Sequence, residues 1–137
     1  HSGLCIVDIS NPNNPVRVGN TSVSTGNGID VAGQYAYFTR GDAGVYIYNV
    51  SDPSNPIEVG HFDTPGSANF IDVIGNYAFV TEREFGLHIL DISNPANPLL
   101  VTSCNTPDLA YEVSVFGIYA YIACSFSGLH IIQIFGP

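Results

Sequence analysis

The chain has 137 residues, one domain's worth, with 12 acids against three arginines and no lysine, a formal charge of −9. That balance disfavours nucleic acid and anionic membrane surfaces, both of which are held by clustered cations. Charged residues are only 11% and apolar ones 45%, so an acidic disordered tail is excluded and a well-cored domain is expected. No apolar run approaches the roughly 18 residues of a membrane span, and no basic-then-apolar stretch opens the sequence.

In chain order, GLCIVDI at 3–9 leads into a proline-rich corner, SNPNNP, and then a short run, VRVG, at 16–19. A polar loop at 22–27 precedes GIDVAGQYAYF at 28–38, and Arg40-Gly41-Asp42 turns the chain into GVYIYNV at 44–50. The same sequence of events follows twice more. FIDVIGNYAFV at 70–80 precedes GLHILDISNPANPLLVT at 86–102, and EVSVFGIYAYI at 112–122 precedes GLHIIQIFGP at 128–137. The opening glycines Gly3, Gly44, Gly86 and Gly128 are spaced by 41, 42 and 42 residues. Several landmarks recurring in phase at one period identify an internal repeat.

Each period holds four short runs of Val, Ile, Tyr and Phe, separated by Gly, Asn and Pro turn chemistry. In the best-preserved copy they cover 70–74, 77–81, 87–93 and 99–103. Prolines sit at the corners and leave the strands their donors, and no sustained 3.6-residue stripe predicts helix. Four strands per unit of about 42 residues, apolar on both faces, predict an all-β chain of β-propeller blades, each covered by a neighbour on either side. With the strands of a unit named a to d outward, 1–27 holds strands c and d of a partial blade. Residues 28–69 and 70–111 are whole blades, and 112–137 holds strands a to c of a further one.

The unit GL-x-I-x-DIS-NP-x-NP, followed by G-x-YAYV, resembles the LVIVD repeat of bacterial and archaeal surface proteins. Two copies depart from it, NVSD at 49–52 and QIFGP at 133–137, the second suggesting that the array ends there. The resemblance implies a β-propeller of secreted or cell-surface proteins, with no established catalytic residues. His1-Ser2-Gly3 aligns with Phe126-Ser127-Gly128, so the chain is expected to begin inside a b–c turn. About three blades fall short of the roughly four to eight of closed propellers. The open faces and edges are therefore expected to be completed, by other copies of the chain or by upstream blades of the same parent protein.

Asp30 and Asp72 share one position in the middle of the inner strand, with Ser114 in the last copy. Acids in apolar runs need hydration or a partner. They are therefore read as channel-lining carboxylates, either hydrogen-bonded or holding a cation. The loops before strand a emerge together on one face. There Asn69, Phe70, Tyr111 and Glu112 supply the amide, aromatic and acidic groups that suit a glycan or peptide. Arg40-Gly41-Asp42 spells an adhesion tripeptide but lies where the repeat favours Gly and Asp as turn residues. Asp8, Asn49 and Asp91 precede the proline corners and are expected to tie them to the backbone. His88 and His130 interchange with Tyr46 and Cys5, which favours packing over metal ligation. Cys5, Cys104 and Cys124 lie in apolar runs and are expected to be small buried hydrophobes, with one disulfide and an unpaired thiol as the alternative. Asn20 and Asn49 head glycosylation sequons.

No catalytic elbow, zinc motif or phosphate loop is present. Glu82 and Glu84 flank Arg83 on a b–c turn, a poor place for a paired acid and base, and Asp30 and Asp72 are the acids that could face each other across the axis, with none at the third position. The expectation is a non-catalytic structural or assembly module, extracellular or on the cell surface, that needs no cofactor. Two other readings stand beside it: a lectin- or adhesin-like ligand-binding propeller, and a fragment of a propeller enzyme whose acids lie on other blades.

Overall fold

A computed structural model describes residues 3–22 and 25–134. The expectations placed on His1, Ser2, residues 23 and 24 of the first loop and 135–137 lie outside the described residues. Thirteen strands make up the described chain: β1 (Cys5–Asp8), β2 (Val16–Asn20), β3 (Ile29–Ala32), β4 (Tyr35–Thr39), β5 (Val45–Asn49), β6 (Ile57–Phe62), β7 (Ala68–Ile74), β8 (Tyr77–Glu82), β9 (Gly86–Asp91), β10 (Leu99–Cys104), β11 (Ala110–Phe116), β12 (Tyr119–Cys124) and β13 (Gly128–Gln133). They form four antiparallel meanders: β1-β2, β3-β4-β5-β6, β7-β8-β9-β10 and β11-β12-β13. No helix is present among the described residues, so none is long and apolar enough to cross a membrane.

The sheets stack face to face, with the inner strands β3, β7 and β11 in successive contact. Alternation along each strand sends side chains to both neighbours. In β9, Leu87 and Ile89 pack on Val113, Val115 and Ile122 of the following sheet. Leu90 of the same strand, and Ile92 just beyond it, pack with Val45, Ile47 and Tyr37 of the preceding one. Burial on two sides explains why β8 and β9 read as nearly unbroken apolar runs.

The c–d corner accounts for the DIS-NP-x-NP block residue by residue. The carboxylate or amide oxygen of Asp8, Asn49 and Asp91 accepts the N–H two residues on, from Ser10, Ser51 and Ser93, at 2.8, 2.9 and 2.8 Å. A second such turn follows, in which Asn11, Asp52 and Asn94 accept from Asn13, Ser54 and Ala96. The hydrogen bonds hold the carboxyls of Asp8, Asp52 and Asp91 below the ordinary carboxylate range. This capture ends β9 at Asp91, earlier than the apolar run through residue 93 suggests.

The completed corner then nests into the preceding blade. A Cβ on Gly19 would collide with the carbonyl oxygen of Pro53, and one on Gly60 with that of Pro95. Strand d therefore needs glycine where the next blade's corner crosses it. The third copy carries Thr102 there.

Candidate functional site

On the axis side, the inner strands have one edge without a strand partner, and the two aspartates serve that edge. Oδ2 of Asp30 accepts the N–H of Val73 at 2.7 Å, and Oδ2 of Asp72 accepts the N–H of Val115 at 2.6 Å. Each carboxylate thus fastens its blade to the next through a charge-assisted bond to backbone. Ser114, the third equivalent, has a hydroxyl one bond shorter in reach. Among the described residues no group of three or more His, Cys, Asp or Glu side chains stands close enough to hold a metal ion.

A parallel set of bonds ties the blades at the d–a loops. The Thr39 hydroxyl accepts from Gly28 N at 2.7 Å and donates to Asn69 O at 2.9 Å. The Thr81 hydroxyl repeats this with Phe70 N and Tyr111 O at 3.1 and 3.0 Å. The Asn69 side chain donates to the same Tyr111 carbonyl at 2.9 Å. Of the four residues expected to bind a ligand, Asn69 and Tyr111 are therefore brought together. The Arg83 guanidinium lies 5.5 Å from the Tyr111 ring centre. Phe70 is instead partly buried against the core shared by the last two blades, and Glu112 stands exposed.

The same face carries a polar concavity of about 360 Å³ lined by Thr25, Asn27, Arg40, Asp42 and Ser67. Arg40 folds back over Tyr46, 4.4 Å from its centroid, and Tyr46 stacks on His61 at 5.6 Å. The Arg40-Gly41-Asp42 segment is a tight turn: Gly44 N donates to Gly41 O, and Gly41 pairs with Ala68. Of the sequon residues, Asn20 is exposed, while Asn49 is partly buried and commits its side-chain oxygen to the corner.

One pair escaped the sequence reading. Glu82 does not lie on a turn; it ends β8 with its side chain fully buried, beside the nearly buried His88. Oε1 of Glu82 and Nε2 of His88 are 3.2 Å apart, out of line for a hydrogen bond, while Oε2 accepts from Gly66 N at 2.7 Å. Burial pushes the Glu82 carboxyl up, against the lowering effect of the Gly66 bond, and burial pushes the His88 imidazole down. Both neutral forms are favoured, and Oε2 secures the loop at Gly66. In the next blade Asp108 does that work in the open, accepting from Phe126 N at 2.7 Å.

Two of the cysteines correct the expectation of burial. Cys124 is buried and its thiol is pushed up by desolvation, but Cys104 is part-exposed and Cys5 exposed. Cys5 points away from the face on which Leu4 and Ile6 pack, and nothing covers that side of β1. All three are free thiols.

A sequence profile of the LVIVD repeat matches residues 1–23, 26–64, 65–106 and 109–136. No curated protein matches the sequence. Among solved structures, the computationally designed, propeller-like protein Ika8 superposes with a TM-score of 0.70 at 5% identity, over 87% of this chain and 37% of its own. The designed protein Ika4 superposes with a TM-score of 0.63 at 8% identity, over 77% of this chain and 64% of its own. The likeness is one of fold, and the chain spans less than two thirds of either.

Proposed function

Because the chain belongs to the LVIVD-repeat family, we propose that it is a non-catalytic structural module of an extracellular or cell-surface protein that self-associates through its open blade faces. The supporting observation is a contrast between equivalent positions. Leu87 and Ile89 are 0% and 7% exposed beneath the following blade, whereas Leu129 and Ile131 on the last sheet are 65% and 57% exposed. At the other end Val7 and Ile9 are exposed where Leu90 and Ile92 are buried. Burying one such side chain is worth about 1.5–3 kcal/mol, so two complementary open faces favour contact between copies, the last sheet of one against β1-β2 of another. Light scattering over a concentration series tests this. Assembly that is lost on Leu129→Asp together with Ile131→Asp supports it, and a wild-type chain that stays monomeric overturns it.

A second reading, a ligand-binding propeller, draws on the polar concavity at Arg40 and on the Arg83–Tyr111 cation–π contact of the same face. An aromatic ring with amide and charged neighbours suits a glycan or a peptide. Glycan-array or peptide-library binding that is lost on Tyr111→Ala would support it.

A further inference from the structure

The N–H of Val31 occupies the position that Val73 and Val115 hold in the next two blades. Those two donate to the carboxylate of the preceding blade, at 2.7 and 2.6 Å. Val31 donates instead to Oδ1 of its own neighbour Asp30, at 2.8 Å. Around it the structure leaves a groove of about 290 Å³, walled by Leu4, Ile6, Ile29, Val31, Ala36 and Val50. Ile29 is 45% exposed, whereas its equivalents Ile71 and Val113 are 1% and 2% exposed, and Val31 is 57% exposed, whereas its equivalent Val115 is 8% exposed. One wall of the groove is β1, paired only with β2, whereas the equivalent strands β5 and β9 are paired on both sides.

We propose that this groove is a docking site for a β-hairpin from another LVIVD-type blade whose inner strand carries an aspartate at the register of Asp72. The outer strand of the hairpin would pair with the free edge of β1, and its apolar side chains would cover Ile29 and Val31. Its carboxylate would take the Val31 N–H, as Asp30 takes that of Val73. The two interfaces inside this chain supply the template for every one of these contacts. The requirement for an acid makes the site selective. The last inner strand of this chain carries Ser114, whose hydroxyl is too short to reach, so a second copy's β11-β12 is a poor occupant. The inference rests on the reading that open blade surfaces are completed by other blades, and it adds which hairpin the groove accepts.

The test adds a synthetic peptide of residues 68–83, which carries Asp72, to the full chain. Amide hydrogen exchange is then read at Val31 and along β1. Two comparison peptides are the same hairpin with Asp72→Ser and residues 110–125 with Ser114. The aspartate peptide is expected to slow exchange at Val31, Cys5 and Val7, with affinity about tenfold or more above the serine peptides. Isolated hairpins are only marginally stable. The aspartate and serine versions are therefore also tethered to the amino end of the chain by a Gly/Ser linker and compared at Val31. Equal protection by both tethered hairpins, or none by either, overturns the proposal. A chain that is monomeric in light scattering yet protects Val31 in this way refutes self-association and leaves the groove assignment standing.

Discussion

Asp30 reaches across from one blade to the backbone of Val73 in the next, its Oδ2 2.7 Å from the amide nitrogen, and Asp72 repeats the reach to Val115. The physical logic lies in the inner strand of a blade, whose axis-side edge has no strand to pair with. A backbone N–H there needs an acceptor, and the preceding blade supplies one.

Asp72→Ser should therefore destabilise the chain by about 1–3 kcal/mol, the cost of stranding a part-buried donor that had a charged acceptor. Asp72→Asn keeps an oxygen in place and should lose less. Urea denaturation of both variants against wild type measures the difference.

The Glu82–His88 pair gives a stability profile with two opposite limbs. The Glu82 carboxyl is raised in the folded chain, so its favourable contribution is complete below its ordinary value of 4.5 and is lost as pH rises through the folded value. The His88 imidazole is lowered, so stability falls as pH drops below 6.5 toward the folded value. Glu82→Gln keeps an acceptor for Gly66 and removes the first limb. Its stability relative to wild type should rise between pH 4 and pH 7, read by denaturation at each pH. A constant difference across that range would contradict this assignment.

Gly60→Ala places a methyl group against the Pro95 carbonyl and should cost about 1–3 kcal/mol, the usual range for overpacking. Gly75→Ala, at a position with open space around it, meets only the penalty of its positive φ of 60°. The two variants separate crowding at the blade-to-blade nest from backbone strain at a hairpin turn.

The blades were legible in the sequence because their punctuation repeats. Gly44, Gly86 and Gly128 all take positive φ, and the Asx-proline corners recur at the same offset. An acid at Asp30 inside GIDVAG signalled the need for a partner, but that partner is a backbone amide 43 residues away, which no side-chain pattern reveals. Glu82 and His88 were harder still. Their position pair reads Arg40 and Tyr46 in one copy and Cys124 and His130 in another. No residue type recurs at both positions to flag a contact made across two strands and a loop. Cys5 misled because GLCIV looks like core, yet it faces the side of β1 that no sheet covers.

The central claim is that the apolar faces at the two ends of the stack are contact surfaces for other copies, and native mass tests it most directly. Light scattering across a concentration series should give multiples of the single-chain mass for wild type. Leu129→Asp with Ile131→Asp should give the single-chain mass with an unchanged β-sheet circular dichroism spectrum. Deletion of residues 1–24, which removes β1 and β2, should also prevent assembly. A wild-type chain that remains monomeric and unfolds cooperatively at every concentration would contradict the account.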